Sequence, residues 1–457
     1  MIANNPLDIT MSPTQRSPEK SRRDVLFVEP GPNHFKPSSR GAACKHTCLP
    51  CVVFQFLLLC LPFRVESQVL TAGHPDFELV ESTPIGTVLD NPDIRNAHEV
   101  WLEMINGAGK TLDIEQFYIS NQSGEPLEDI IGAIEAAADR GVTVRIVAEI
   151  KFYKTYPETI DRLRKKHGIE VRLIDFGKLA GGIQHSKYFI VDGKAIFLGS
   201  QNFDWRSLKH IHELGVRIDK EDATSIYLDV FNLDWQLAES NDRSKAAAIL
   251  KPQTYKLPLC SVFEGDTIVY TPTYSPLGLI PDSTLWDEPN IVRVIDNAQK
   301  EVSLQFLSYD TRSRGGPDYL AFDNALRRAA ARNVKVRLIV ADWEKGSASE
   351  NSLKELARVP NIEVKFSDIP EWSGGYVSFA RVEHLKFVLA DSTAFWLGTA
   401  NAEKGYFYNT RNLGVVVSNA RLASTMHRIF TKSWDGPYTE RVDPSKTYPR
   451  REHGEKQ

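Results

Sequence analysis

Cysteine is scarce in most of this 457-residue chain. Four of the five cysteines, Cys44, Cys48, Cys51 and Cys60, lie in the first 60 residues, and Cys260 is the only one that follows. The body of the protein therefore lacks the cysteine pair that an internal disulfide needs, and its stability has to come from packing. The clustered cysteines have no nearby His-x3-His partner, which makes zinc ligation a poor interpretation.

The chain also lacks an excess of charge of either sign. It carries 55 Lys and Arg against 59 Asp and Glu, which gives a formal net charge of −4. This balance argues against a dedicated nucleic-acid coat protein and against a polybasic membrane binder, although it permits a local cationic cleft. Hydrophobic residues make up 42% of the chain, which is enough for a sizeable core and excludes a wholly disordered protein.

A hydrophobic run long enough to cross a bilayer, about 20 residues, is missing as well. The longest apolar stretch is residues 49–63, LPCVVFQFLLLCLPF, and basic residues precede it. Val65 and Ser67 stand three and one residues before a potential cleavage point. This pattern predicts a disordered tail with a signal peptide over residues 1–67, or a type II signal anchor as the alternative. Either interpretation places the body in a secreted, periplasmic or luminal compartment.

Two parts of the remaining sequence carry the same pattern. ADRGVTVRIVAE at residues 138–149 matches AARNVKVRLIVAD at 330–342, and QHSKYFIVDGKAIFLGSQN at 184–202 matches EHLKFVLADSTAFWLGTAN at 383–401. Helical spacing alternates with β-branched runs in both parts, which predicts α/β layers around a mostly parallel or mixed sheet.

This internal match sets the expected domain organisation. We predict a first half, a Pro-rich ordered crossover that partly rims the cleft, a second half and a fraying polar tail, at residues 68–239, 240–289, 290–438 and 439–457. In the first half the predicted helices are 100–108, 127–139, 157–166 and 223–238. The predicted strands are 112–119, 142–149, 170–175, 188–192 and 195–198.

The pattern His-x-Lys-x4-Asp occurs once in each half and is followed both times by Gly-Ser/Thr-x-Asn. The candidate catalytic residues are His185, Lys187, Asp192, His384, Lys386 and Asp391. The candidate phosphate-binding or orienting residues are Ser200, Asn202, Glu213, Thr399 and Asn401. Alternate residues of a strand share a face, so each His and Lys are expected to point the same way. Pseudo-twofold packing of the halves would gather these groups around one point.

Paired ammonium and amide groups without a carboxylate cluster fit an anion better than a metal ion. A phosphodiester is the expected ligand, with the lysines, hydroxyls and amides donating to its nonbridging oxygens. One imidazole would attack phosphorus and the other would protonate the leaving oxygen, after which water would cleave the phosphohistidine. We therefore expect no metal and no other cofactor; a metal-dependent nuclease would instead lose its activity to a chelator.

On these motifs the chain resembles the phospholipase D superfamily over roughly Glu78–Tyr438. The resemblance implies two α/β/α sandwich halves with a single shared active site that a monomer completes. It implies that His185 is the nucleophile and His384 the general acid and base, and that Asp192 and Asp391 are more structural than chemical. The segment GSQNFDWRSLKHIHELGV is similar to the animal endosomal branch of the superfamily, to which 5′-exonuclease activity on single-stranded nucleic acid is attributed.

Only one half carries a carboxylate after its motif. Glu213 stands in HELGV, and the equivalent RNLGV places Asn412 there. A carboxylate behind one imidazole would favour that imidazole as nucleophile, and the sequence favours His185 provided that Glu213 pairs within its own half.

The expected partner is a phosphodiester, either a phospholipid or single-stranded nucleic acid, with transient contact to a membrane surface. Hydrolysis and transfer to an alcohol both remain open. Trp205 and Tyr406 are candidates for stacking on a substrate, whereas Trp235 and Trp434 are expected in the core. The alternative function is a non-catalytic anion-binding protein on the same scaffold. Loss of a motif residue would favour this alternative, and both motifs are intact.

Overall fold

The structure is a computed structural model, which describes residues 75–313, 317–451 and 453–454. The predicted signal segment over residues 1–67 lies outside the described residues. Within the described part of the chain, no helix is both long and apolar enough to cross a membrane.

The first half contains an eight-stranded sheet and a short two-stranded pair. Its strands are β1 (Phe77–Ser82), β2 (Arg95–Asn96), β3 (Thr111–Gln116), β4 (Ile119–Ser120), β5 (Thr143–Glu149), β6 (Ile169–Ile174), β7 (Lys187–Val191), β8 (Ala195–Gly199), β9 (Phe203–Asp204) and β10 (Glu213–Ile218). The sheet order is β2-β1-β10-β8-β7-β3-β5-β6, and β4 pairs with β9.

The second half contains a nine-stranded sheet and an equivalent short pair. Its strands are β11 (Leu259–Phe263), β12 (Asp266–Ser275), β13 (Glu301–Phe306), β14 (Tyr309–Asp310), β15 (Lys335–Ala341), β16 (Ile362–Ser367), β17 (Phe387–Ala390), β18 (Ala394–Gly398), β19 (Ala402–Glu403), β20 (Asn412–Ser418) and β21 (Thr439–Arg441). The sheet order is β11-β12-β20-β18-β17-β13-β15-β16-β21, and β14 pairs with β19.

Helices connect and cover these strands. They are α1 (Ala97–Asn106), α2 (Leu127–Asp139), α3 (Ile150–Tyr153), α4 (Glu158–Arg164), α5 (Phe176–Ala180), α6 (Glu221–Ser240), α7 (Ala246–Ile249), α8 (Asp287–Asn297), α9 (Ala321–Ala331), α10 (Glu350–Ala357), α11 (Lys404–Tyr408) and α12 (Ala420–Trp434). Short 3-10 turns lie at Arg243–Lys245, Ser283–Leu285 and Asp342–Glu344.

The two sheets share one topology. The order β1-β10-β8-β7-β3-β5-β6 of the first sheet corresponds to β12-β20-β18-β17-β13-β15-β16 of the second. In both sheets the last three of these strands are parallel, and the motif strand forms an antiparallel hairpin with the next strand. The predicted fold, two α/β halves of the same architecture, is confirmed.

Period-2 alternation distributes the motif strands between separate cores. In β7, Tyr188 and Ile190 pack into a central cluster that both halves share, whereas Phe189 packs outward against α1 and α2. In β17, Phe387 packs centrally and Val388 packs outward towards α8 and α9. Because both faces of each strand are buried, the strands read as continuous apolar runs.

Helices α6 and α12 lie in the central cluster between the sheets. Trp235 and Trp434 occupy equivalent positions on these helices and are 8% and 5% exposed, as expected for core residues. A strand arginine lies over each of them: the guanidinium of Arg145 is 5.4 Å from the Trp235 ring centroid, and that of Arg337 is 5.6 Å from Trp434. The same cation–π contact therefore joins helix to sheet in both halves.

Two segments differ from the sequence expectation. The predicted crossover over residues 240–289 contributes β11 and β12, and β12 pairs with β20 within the second sheet. The predicted fraying tail contributes β21, and Tyr448 is buried in the outer core of the second half. The two segments therefore extend the second sheet at its opposite edges.

Candidate active site

Both motifs begin where the two halves meet. The backbone N–H of His185 donates to the carbonyl of Arg411 at 3.0 Å, and the N–H of His384 donates to the carbonyl of His212 at 2.8 Å. Each motif histidine is thus attached to the opposite half just before its strand begins. This reciprocal pairing brings the two imidazoles to the same edge of the two sheets.

The two imidazoles line one cavity of about 280 Å³. Asn202 and Tyr406 border it beside them, and most of the remaining wall is aromatic or aliphatic. The other lining residues are Phe117, Tyr118, Phe152, Tyr156, Ile183, Arg206, Ile211, Leu307, Trp343, Phe379 and Val382. Both halves contribute to this wall.

The imidazoles exchange partners across the interface. Nδ1 of His384 lies 2.7 Å from Oε2 of Glu213, and Nδ1 of His185 lies 3.2 Å from Oδ1 of Asn412. The condition that Glu213 pairs with His185 in its own half is therefore wrong. The carboxylate stands behind His384 because β10 reaches the interface beside the opposite motif.

Asn412 is held in one orientation. Its Nδ2 donates to the carbonyls of Tyr406 at 2.7 Å and Thr410 at 3.2 Å, so its Oδ1 has to accept. His185 consequently carries its proton on Nδ1, and Nε2 keeps a free lone pair in the neutral ring. On His384 the Glu213 carboxylate likewise accepts the Nδ1 proton, which favours a second proton on Nε2.

The hydroxyls after each motif hold the histidine partners. Thr399 Oγ1 donates to Asn412 Oδ1 at 2.9 Å and accepts the N–H of Leu413 at 3.1 Å. Ser200 Oγ accepts the N–H of Leu214 at 3.0 Å and donates to the Leu214 carbonyl at 3.3 Å, whereas the Ser207 hydroxyl donates to Oε1 of Glu213 at 3.0 Å. The structure therefore agrees with an orienting role for Thr399, and donation of either hydroxyl to a phosphate stays a prediction.

The two motif lysines are fully buried. Nζ of Lys386 donates to the carbonyl of His384 at 2.7 Å, and Nζ of Lys187 makes the equivalent bond to His185. The Lys187 ammonium also lies 4.9 Å from the Phe117 ring centroid. Each ammonium is thereby fixed beside the imidazole of its own motif.

Burial controls the protonation of these groups. Burial, reinforced by the lysine ammonium groups, holds the pKa of both His185 and His384 well below the ordinary histidine value. It lowers the pKa of Lys187 as well, and lowers that of Lys386 to about 7. Burial also raises the pKa of Glu213 to about 8, so below that pH the Glu213–His384 pair holds a second proton, which either group can carry while Nε2 of His384 keeps its hydrogen. An anion bound among these groups would stabilise their protonated forms and raise these pKa values again.

The two motif asparagines lie near the imidazoles. Asn202 borders the cavity, and its buried Oδ1 has no hydrogen-bond partner among the residues that the structure describes. A flip of this amide would present its donor to the same place. Asn401 is fully buried outside the cavity lining, and neither of its amide atoms has a hydrogen-bond partner among the described residues. Asn202 is therefore the asparagine positioned to contact a ligand.

The motif aspartates lie at the opposite ends of their strands. Asp192 lies five residue steps along the extended chain from Lys187, a distance of about 17 Å. The Asp192 carboxylate accepts the N–H groups of Gly109, Lys110 and Thr111, and Asp391 accepts those of Gln299, Lys300 and Glu301. The inclusion of these aspartates among the catalytic residues is corrected, whereas the structural role that the resemblance implies agrees with this geometry.

Most of the aromatic wall was missed by the sequence analysis. Tyr406 was a candidate, and its ring centroid lies 5.0 Å from that of His185. Tyr118, stacked on Phe152 at 5.8 Å and on Tyr156 at 5.2 Å, was not. The closely spaced aromatics in FYIS, at the end of one predicted strand, and in KFYKTY, soon after another, were the available signal.

The remaining candidates lie outside the cavity. Trp205 packs against His210 with centroids 5.6 Å apart and does not line it. His212 is buried between Glu383 and Glu81, which raise its pKa to about 10 against the cost of burial. Among the described residues, no group of three His, Cys, Asp or Glu side chains is placed to hold a metal ion.

The sequence matches the family model described as "Cardiolipin synthase, PLD-like domain" twice, over residues 101–235 and 291–434. It is 30% identical over 400 residues to the 5'-3' exonuclease PLD3 of Macaca fascicularis, which covers 80% of this chain and 81% of that protein. It is also 30% identical over 393 residues to Phospholipase D Z of Dictyostelium discoideum, which covers 79% of this chain and 90% of that protein.

Two solved structures share the fold at low sequence identity. The phosphatidylserine synthase of Haemophilus influenzae Rd KW20 gives a TM-score of 0.58 at 12% identity over 80% of this chain and 87% of that one. The polyphosphate kinase of Porphyromonas gingivalis gives a TM-score of 0.54 at 15% identity, over 83% of this chain and 50% of that chain. The two matches to the family model, which cover more than half of the chain, and the relatives at 30% identity show that the chain belongs to the phospholipase D superfamily.

Proposed function

We propose that the protein is a phosphodiesterase that works through a covalent phosphohistidine on His185, with His384 as general acid and base. The observation that carries this proposal is the unlike environment of two imidazoles on one cavity. His185 is held by a neutral amide and keeps Nε2 free, whereas His384 is held by a carboxylate that stabilises its charged form. These contacts support His185 as nucleophile and His384 as general acid and base, although Glu213 pairs with His384 and not with His185.

In the first step Nε2 of His185 attacks phosphorus and the bond to the leaving oxygen breaks. The imidazolium of His384 gives its Nε2 proton to that oxygen, so the first product leaves as an alcohol. Lys187, Lys386 and the Asn202 amide hold the nonbridging oxygens and stabilise the charge that develops in the transition state.

In the second step neutral His384 takes a proton from water, and the resulting nucleophile attacks the phosphohistidine. The P–N bond breaks, Nε2 of His185 recovers its lone pair, and a phosphomonoester is released with His384 protonated again. An alcohol in place of water would give transfer, and the geometry of the imidazoles permits both outcomes.

Single-stranded nucleic acid is the substrate that the aromatic wall supports best. Tyr118, Phe152 and Tyr156 form a stacked group on the first-half side, and Trp343 faces the cavity from the second half. Nucleobases stack on such side chains regardless of sequence. The 5'-3' exonuclease PLD3 relative agrees with this proposal.

A phospholipid is the second candidate. The wall is predominantly apolar, and Phe379 at its rim is 42% exposed, which would suit contact with lipid at a membrane surface. The relative named Phospholipase D Z agrees with this alternative. We further propose that one polypeptide suffices for the site, because both imidazoles and all their partners come from the same chain.

The N-terminal segment adds a proposal on location. Residues 1–67 carry the sequence pattern of a signal peptide or signal anchor, which would direct the body to a secreted or luminal compartment. Expression with and without this segment, followed by fractionation of the culture, tests the proposal; full retention of the complete chain in the cytosol would contradict it.

A side-by-side assay tests the activity and the substrate. Purified residues 68–457 would be given labelled phosphatidylcholine and 5′-hydroxyl single-stranded DNA, each with and without EDTA. We expect faster turnover of the DNA and no effect of EDTA. Acid-labile, base-stable phosphorylation trapped on wild type and lost in His185→Ala would support the covalent step, and its retention in that variant would contradict the assignment.

A further inference from the structure

The last described residues, which we call the strap (residues 448–451 and 453–454), run beside the catalytic cavity. At one end Tyr448 is buried, with its ring 5.0 Å from that of Phe366 and its hydroxyl accepting the N–H of Asp443 at 2.7 Å. In the middle Arg451 pairs with Asp368. The strap is therefore anchored in the second half before it reaches the cavity wall.

His453 contacts both aromatic residues that the second half's loops contribute to the wall. Its ring stacks on Trp343 with centroids 5.0 Å apart and an angle of 26°. Its carbonyl accepts the N–H of Phe379 at 2.6 Å. Because Trp343 and Phe379 both line the catalytic cavity, one residue outside the cavity holds two of its surfaces.

Phe379 needs this support. Its φ of 55° lies in the left-handed region, which a bulky residue adopts only when its surroundings impose it. A Cβ placed on Gly454 would lie 3.7 Å from the Phe379 ring, and the Gly454 carbonyl accepts the Tyr376 hydroxyl at 2.6 Å. The strap thus fixes the backbone of this loop as well as the ring.

We propose that His453 is a positioning residue for substrate binding, which sets the affinity for the part of the substrate beyond the scissile phosphate. It acts through Trp343 and Phe379, and it lies outside the group of imidazoles and lysines that hold the phosphate. This inference rests on the proposed function, since it assumes that an extended substrate uses the aromatic wall.

The test compares His453→Ala, His453→Phe and the wild type on two diesters. With a single-stranded oligodeoxynucleotide, we expect the KM of His453→Ala to rise about fivefold with kcat changed less than about twofold, because one aromatic contact is lost. With methyl 4-nitrophenyl phosphate, which is too small to reach the wall, we expect no change. His453→Phe retains the stacking and should restore the wild-type KM.

Controls separate this role from a merely structural one. His167 is exposed on the surface, and His167→Ala should match the wild type on both substrates.

Oligonucleotide binding by fluorescence anisotropy, alongside inorganic phosphate binding by calorimetry, tests the inference without turnover. We expect His453→Ala to weaken only the first. Equal losses on both ligands, unchanged oligonucleotide binding, or no oligonucleotide binding by the wild type would overturn the inference. An inactive wild type that still binds the oligonucleotide would overturn only the proposed function.

Discussion

The two motif imidazoles differ in the residue that holds Nδ1. His384 has the Glu213 carboxylate at 2.7 Å, and His185 has the Asn412 amide oxygen at 3.2 Å. A carboxylate stabilises the imidazolium that a general acid needs, and an amide leaves the ring neutral, as a nucleophile needs. The asymmetry of two side chains therefore distinguishes two otherwise equivalent motifs.

Glu213→Gln should lower kcat by about a hundredfold or more, because an amide cannot share a proton with His384 as the Glu213 carboxyl group does. Steady-state kinetics on the preferred diester measures this, with circular dichroism to verify folding. Glu158, exposed on α4, supplies the matched control, since Glu158→Gln should leave kcat unchanged. A folded Glu213→Gln protein with the wild-type kcat would rule out the assigned role.

The pH dependence of kcat/KM should have its maximum on the acid side of pH 7. Lys386 has a pKa of about 7 in the free protein, so its ammonium is lost as the pH rises through that value. The pKa of His384 is lowered too, and its acid form is likewise lost on raising the pH. The lowered pKa of His185 keeps the nucleophile neutral in mild acid. A pH–rate profile measures this, and a maximum above pH 8 would contradict it.

Inhibition by inorganic phosphate isolates the contribution of Lys386. The inhibition constant should rise above pH 7 in the wild type, because anion binding then requires uptake of a proton. In Lys386→Met binding should be weak throughout and this pH dependence should become shallower, with the titration of phosphate itself and of the other site groups remaining, whereas Lys194→Met, at an exposed turn position, should behave as the wild type.

At the scale of elements, each motif strand ends in an aspartate that organises the adjoining turn. Asp192 and Asp391 have φ values of 55° and 52°, and each accepts backbone N–H groups at the start of the neighbouring strand. The spacing between lysine and aspartate is therefore the length of one strand, and the motif combines a chemical end with a structural end.

Asp192→Asn should lower the free energy of unfolding by about 1–3 kcal/mol, because a neutral amide replaces a charged acceptor of several N–H groups. Activity per folded molecule should stay close to that of the wild type. Chemical denaturation and active-site-normalised kinetics measure the two effects. The pKa of Asp192 is lowered in the folded state, so its stabilisation is present above the unfolded pKa and is lost as the pH falls through the folded value.

Local patterns predicted many of the elements. The helix predicted at residues 127–139 has the same bounds as α2, because its Ile130, Ile131 and Ile134 follow helical spacing. Strand β12 was missed because Pro272 lies within it, and proline there gives up one ladder hydrogen bond while the neighbouring strands retain the pairing. The crossed pairing of Glu213 could not be predicted, since it depends on how the halves pack.

At the scale of the whole molecule, the active cavity exists only where both halves meet. Arg411 shows how closely they are joined: its guanidinium pairs with Asp234 of α6 at 2.6 Å, and both side chains are fully buried. Arg411 also accepts the His185 N–H through its carbonyl. One residue thus links the central helix of the first half to the motif.

Mixing His185→Ala with His384→Ala should restore no activity, because each folded chain builds its own cavity and would still lack one imidazole. Specific activity of the wild type should also be independent of protein concentration. Activity in the mixture above the sum of the two variants would show that chains share or exchange halves.

The exchanged partners also constrain how such a protein can change over generations. A substitution at position 213 alters the proton chemistry of a histidine encoded 171 residues downstream, and one at 412 alters that of a histidine encoded 227 residues upstream. The sequences of the two halves therefore cannot change independently. A half inherited alone would carry its catalytic imidazole without the side chain that orients it.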